Sequence, residues 1–293
     1  MTWDDEVDVV CIGGVVGTLA SAVVAADAEV EVYVATTVAS DGGWLGTGVT
    51  DPETLEYFAA LTAGPGPVEP TTDDGVPMRV VHDAPADERR GRKVAPFFGG
   101  RLDAWAADCL SSPYGLLHTR VTDWDTTAMR TLDDKPVQVK IVGTMALDGP
   151  DGASSLAGWL FDAADARGID IHTDTALQRL VLEEGIVTGA VLDTADGPWA
   201  IRARHGVTLA PAVTVGEAAV AAGGSQVQVA LVSQTGSRFA RVEALVPAAA
   251  PSTGGAHCST SSGRLSETLR DRRSGRSPSR RRREVDRHPP FGQ

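Results

Sequence analysis

EVDVVCIGGVVGTLASAVVAADAEVEVYVAT, residues 6–36, decides the fold. Val7, Val9, Val10 and Ile12 form a β-branched run that suits a strand buried on both faces. A glycine turn follows, Gly13-Gly14-Val15-Val16-Gly17. Residues 19–26 are Leu, Ala, Ser and Val, and a helix lined with such small residues can lie close against a sheet. Residues 29–35 alternate like a second strand. Strand, glycine turn, helix and strand make one βαβ unit with a parallel sheet.

Outward from this unit, Asp51-Pro52 starts a helix, with Asp as cap and Pro at the first helical position, and Leu55, Phe58 and Ala59 are expected inside. Residues 64–77 read as a loop rich in Pro, Gly and Asp. Leu102, Trp105, Ala106, Cys109 and Leu110 recur at helical spacing over residues 101–110. A second unit begins at Asp151. Leu156, Trp159, Leu160, Ala163 and Ala164 follow a helical stripe capped by Ser154 or Ser155 and closed by Gly168. A short strand over residues 169–172 precedes three strands, residues 177–182, 186–192 and 199–202, which form a β-meander. Residues 207–210 read as a return strand, and residues 227–232 are an apolar run without an assigned place. Trp105, Trp159 and Trp199 read as core, and residues 233–241 as a solvated strand edge.

The 293 residues carry a formal charge of −13, unevenly spread. From Pro251 onward there are ten Arg against four acidic residues, while the body before it is strongly acidic. Such a body repels phosphate and argues against nucleic-acid binding. Cys11, Cys109 and Cys258 form neither a disulfide framework nor a metal pattern, so the expectation is a reducing, cytoplasmic compartment and no metal. Residues 9–26 are uncharged, but Gly13, Gly14 and Gly17 sit among them and no Lys or Arg flanks them, so a buried strand and helix are expected rather than a membrane span. His82, His118, His172 and His205 are scattered with no carboxylate at informative spacing, and no catalytic residue can be named. Residues 251–293 are Ser, Gly, Pro and Arg with almost no apolar side chains, and are expected to be disordered. Their bias is also that of GC-rich DNA read in a shifted frame.

A glycine turn between strand and helix suits a diphosphate, whose charge is favoured by backbone amides and the helix dipole. In the usual spacing the first glycine makes the turn, the second admits the phosphates and the third lets helix and strand pack. Here the chain resembles the FAD-dependent oxidoreductases of the fumarate reductase/succinate dehydrogenase flavoprotein type, which include the ketosteroid dehydrogenases. The resemblance is carried by residues 7–35, by SDGGWLGTG at 40–48, and by SSLAGWLFDAADARG, IDIHTDTALQRLV, EEGIVTGAVL and ARHGVTLA between residues 154 and 210.

The resemblance implies an α/β fold: a Rossmann-like FAD/NAD(P)-binding domain with a parallel sheet plus a β-meander, built from residues 1–60 and 150–216. Residues 61–149 would be an insertion packed on it, 217–250 a partial continuation, and 251–293 the tail. It implies FAD as cofactor, with contacts from Gly13, Gly14, Val15, Gly17, Thr18, Thr36, Gly42, Gly43, Leu177 and Ala210. It also implies hydride transfer between flavin and a C–C or C=C bond of a small organic substrate. The chain departs from the family in several places. Aligned on Gly13, Val15 and Thr18 stand at the second and third glycine positions, and Thr36 replaces the acid that holds the ribose. Ala210-Pro211-Ala212-Val213 replaces a glycine-bearing ATGG segment. Each lost charge-assisted bond costs about 1.5–3 kcal/mol. The expectation is therefore a shortened or degenerate flavoprotein with weakened or lost FAD binding. Two alternatives stay open: a non-catalytic remnant of the fold, and nucleic-acid association through the Arg-rich tail.

Overall fold

The computed structural model describes residues 2–37, 48–71, 75–84, 99–121, 125–146, 152–212 and 226–247, with the backbone alone for 152–155 and 247. All belong to one unit, Met1–Ala250. Strand β1 (Asp5–Gly13) is buried on both faces from Val9 onward, as its β-branched run requires. Helix α1 (Val15–Asp27) is enclosed from Val16 to Ala25, because its small side chains let the sheet and a second helix approach it. Strand β2 (Val32–Thr36) lies parallel to β1 in register Val9↔Val32 to Gly13↔Thr36. It starts later than the alternating run suggests. The end of α1 closes with Glu29 at φ 58° and the Val30 amide donating to the Ala25 carbonyl at 3.0 Å, which uses up the first residues of that run.

The chain continues through α2 (Pro52–Thr62), β3 (Met78–Asp83), α3 (Gly99–Ser111), β4 (Gly115–His118), β5 (Thr127–Thr131) and β6 (Pro136–Ala146). Then come α4 (Gly152–Asp165), β7 (Ile171–His172), β8 (Ala176–Glu183), β9 (Ile186–Thr194), β10 (Gly197–Ala210), β11 (Gln226–Ser233) and β12 (Phe239–Pro247). All twelve strands share one mixed sheet in the order β11-β6-β5-β3-β12-β4-β10-β1-β2-β7, with β9 and β8 branching from β10. The run β10-β1-β2-β7 is parallel throughout. Because β11 also pairs with β12, strands β11, β6, β5, β3 and β12 close into a ring. Residues 61–149 thus supply β3, β4, β5 and β6 to the same hydrogen-bonded sheet that carries the βαβ unit.

Strand β10 organises the centre. The expected third meander strand and the return strand are one continuous strand of 14 residues. Its first half pairs with β9, its second half with β4, and its other edge runs parallel to β1. Gly206, at φ 112°, absorbs the register shift between Val7 and Val9 and lets the strand pass through a position that looks like a break in sequence. One face of the sheet buries Val10, Ile12 and Ala35 against α2, α3 and the meander. The other buries Val9, Cys11 and Val34 under α1, which α4 covers through Leu156, Leu160 and Ala164.

Helix α2 turns a different face inward from the one expected. Thr54 and Phe58 are buried, whereas Leu55 is 40% exposed and Ala59 is exposed. The reason is polar. The Asp51 carboxylate accepts from the Thr54 amide at 2.9 Å and its hydroxyl at 2.7 Å, and the Leu180 amide of β8 donates to the Thr54 hydroxyl at 2.9 Å. Asp51→Ala is expected to cost about 1 kcal/mol in a urea titration at neutral pH. The Thr54 hydroxyl and amide hold the Asp51 carboxyl below the usual carboxylate range. A depressed folded value means the cap contributes above the unfolded pKa and fades as pH falls through the folded value, so the variant and the parent chain converge below about pH 4.

Trp105 is buried and donates its indole N–H to the Phe239 carbonyl at 2.9 Å. Trp199, expected in the core, is 41% exposed at the start of β10. Of residues 233–241, residues 234–238 form the β11–β12 turn with Gly236 at φ 80°, and the flanking ones pair within the sheet rather than form a free edge.

Candidate functional site

The carboxyl ends of β1, β2, β7 and β10 meet at the start of α1. Gly13 lies opposite Ala210 in register, and the Gly14 amide donates to the Ala210 carbonyl at 3.3 Å. A Cβ on Gly13 would stand 2.0 Å from the Ala210 oxygen, and one on Gly14 2.0 Å from the Pro211 oxygen. A Cβ on Gly17 would stand 2.7 Å from the Ala210 Cβ. The close approaches therefore fall on Gly13, Gly14 and Gly17. Aligned on Gly13, Val15 and Thr18 stand at the second and third glycine positions of the family motif, yet the close approaches in this chain fall on Gly14 and Gly17. The turn is one residue shorter than the usual motif, so glycine stands where the backbones touch. Val15 begins the helix, half-buried against the apolar cluster under α1.

The helix start is uncapped. Gly14 occupies the cap position without a side chain, and the first turn holds no acidic residue. Among the described residues, the amides of Val15, Val16 and Gly17 meet no acceptor, while the Thr18 amide donates to the Gly14 carbonyl at 3.2 Å. The Thr18 hydroxyl is fully buried and has no partner among the described residues. These open donors beside a positive dipole end are what an anion would satisfy.

The β2 end is neutral and tightly tied. Thr36 is buried, the Thr37 amide donates to the Gly13 carbonyl at 3.0 Å, and the Thr37 hydroxyl donates to the Thr175 carbonyl at 2.7 Å. The Thr175 amide reaches the Thr36 carbonyl at 3.5 Å. This interlock brings the start of β8 to the glycine turn and sets Leu177, half-buried and paired with Leu192, on the core face shared with Ile12 and Ala35. Thr37 and Thr175 went unrecognised in the sequence, since 138 positions separate them and neither carries a motif. Gly42 and Gly43 lie outside the described residues.

Directly behind the turn is a buried polar chain. His118 Nδ1 lies 2.9 Å from the Thr208 hydroxyl, which the Ser21 hydroxyl approaches at 3.5 Å. Cys11 hydrogen-bonds into the same group, and burial pushes its thiol up to about 12. Burial pushes His118 down to about 4. Both are neutral at physiological pH, so this group ties β1, α1, β4 and β10 together rather than titrating.

A separate cleft of about 310 Å³ lies toward the amino ends of the parallel strands, walled by Asp5, Glu31, Asp170, Tyr33, His172 and Trp199. Ligands of open α/β sheets bind at the carboxyl ends, so this cleft is not where a dinucleotide would sit. Among the described residues no three His, Cys, Asp or Glu gather to hold a metal ion, and no helix is long and apolar enough to cross a membrane.

The mixed sheet and its flanking helices define an α/β protein. The FAD binding domain family matches residues 101–251, just over half of the chain, and the chain belongs to that family. FAD is its cofactor. The match runs from α3 through β12 and does not include the glycine turn. No curated protein matches the chain.

Solved structures similar to it include the 3-ketosteroid-Δ4-(5α)-dehydrogenase of Rhodococcus jostii RHA1 in complex with 4-androstene-3,17-dione. That likeness has 22% identity and a TM-score of 0.30, and covers 71% of this chain and 46% of that one. A flavocytochrome c3 fumarate reductase in its open conformation has 15% identity and a TM-score of 0.30, over 69% and 33% of the two chains. An aklavinone-11 hydroxylase with FAD and aklavinone has 20% identity and a TM-score of 0.26, over 70% and 32%. The chain spans less than half the length of each.

Proposed function

We propose that the chain is the dinucleotide-binding part of an FAD-dependent oxidoreductase, with β10-β1-β2-β7 and α1 as a Rossmann-like core. The observation that carries this is the uncapped start of α1, with three open amides at the carboxyl ends of parallel strands. The Val15, Val16 and Gly17 amides would hold the diphosphate, and the buried Thr18 hydroxyl lies in the same first turns of the helix. Gly13 and Gly14 keep the crossing backbone of Ala210 and Pro211 close, which shields the diphosphate from water. Thr36 and Leu177 would line the adenosine end. When bound, FAD supplies hydride transfer with a C–C or C=C bond of an organic substrate, and the protein supplies position and electrostatics.

Titration of the full chain, stripped of flavin, tests this. The expected result is saturable quenching of flavin fluorescence at one FAD per chain, with the bound flavin bleached by dithionite and recovered in air. No binding at millimolar FAD would overturn the proposal.

A further inference from the structure

The two hydroxyls of an adenosine ribose donate hydrogen bonds, and an ionised carboxylate, an acceptor with two oxygens, is their best partner. Strand β2 offers none. It ends in Thr36, and the hydroxyl of the next residue, Thr37, is spent on the Thr175 carbonyl at 2.7 Å. Strand β7 lies parallel beside β2, with Ala35 opposite His172, and two residues beyond His172 comes Asp174. Among the described residues, Asp174 is the only carboxylate within two positions of the carboxyl ends of β1, β2, β7 and β10 along the chain.

Its placement is defined on both sides. The Thr175 hydroxyl donates to the Thr173 carbonyl at 3.1 Å, and the Thr175 amide reaches the Thr36 carbonyl at 3.5 Å. Asp174 itself is held at φ 54°, a left-handed conformation that glycine adopts freely and other residues rarely. It is exposed and has no hydrogen-bond or ion-pair partner among the described residues.

We infer that Asp174 supplies the carboxylate missing from β2 and holds the adenosine ribose from the end of β7. The inference rests on reading the carboxyl-end site as an FAD site. It moves ribose recognition one strand outward, and it explains how a turn ending in Thr36 can still bind the nucleotide half of the cofactor.

The test is calorimetric titration of the full chain with ADP and with 2′-deoxy-ADP. The parent chain is expected to favour ADP. Asp174→Asn should weaken ADP about tenfold or more and bring the two ligands close to parity, since one charge-assisted bond is lost. Asp174→Gly should lose the same affinity while melting at the same or a higher temperature, because the left-handed backbone then carries no Cβ. A merely structural turn residue would gain stability and keep its affinity. An Asp174→Asn chain that retains the parent's preference for ADP overturns the inference and leaves the FAD reading intact. A parent chain that binds neither ADP nor FAD overturns both.

Discussion

Replacing Glu243 with alanine is expected to destabilise the protein by about 3–5 kcal/mol, because it leaves charge buried without its counter-ion. Glu243 stands on β12 with its carboxylate fully buried. It accepts from Arg79 Nε, from Arg79 Nη2 at 2.8 Å, and from Arg241 Nε and Nη2 at 2.9 and 2.7 Å. Both guanidiniums also lie over the Trp105 ring, 5.8 and 5.4 Å from its centroid. The group therefore joins β3, β12 and α3, and removing the carboxylate leaves two largely buried cations facing each other. Changing all three charged residues together to Met or Leu should recover most of the loss, since apolar replacements of similar volume remove the desolvation cost as well. Urea midpoints at constant m-value measure both effects. An alanine variant within 1 kcal/mol of the parent chain would show that the trio is hydrated rather than buried.

Alanine at Gly13 is expected to cost about 3 kcal/mol or more and to abolish FAD binding. The new Cβ would meet the Ala210 oxygen at 2.0 Å, and the residue sits at φ 124°. Overpacking and left-handed strain therefore add. Alanine at Gly14 separates the two effects, because the contact with the Pro211 oxygen is equally short while φ is an ordinary −66°. Alanine at Gly48 is the control. It has φ 77° and nothing within 4 Å, so only the backbone cost of about 1 kcal/mol remains. If all three variants unfold alike, the approach of β10 to the glycine turn is not what these residues serve.

Much of this fold was legible because its signals are local. The βαβ unit, the α4 stripe from Leu156 to Ala164, Gly168 at φ 65° and the meander turns all follow from spacing within a few residues. What escaped is non-local. The apolar runs of β6, β11 and β12 do not say which strands they pair with, so the five-stranded ring was invisible. Glu243, a single acid in an apolar strand, meets Arg79 across 164 positions. The inward face of α2 differs from the apolar spacing because the Thr54 hydroxyl satisfies a β8 amide, a long-range contact that spacing does not carry.

The glycine turn was legible as a junction between strand and helix. Alignment with the family motif sets Val15 and Thr18 at its glycine positions, while the contacts with Ala210 and Pro211 fall on Gly14 and Gly17. The sequence places Thr36 rather than an acid at the end of β2, and the strand ends there. The neighbouring strand that carries Asp174 becomes its neighbour only through the parallel pairing of β2 with β7.

The central claim is that the open amides at the start of α1 receive a diphosphate. Backbone amide shifts of the isotopically labelled full chain during an ADP titration test it most directly. The account predicts saturable shifts at Val15, Val16 and Gly17, with smaller ones at Thr36 and Thr175. Saturable binding that leaves those three amides unmoved would contradict it.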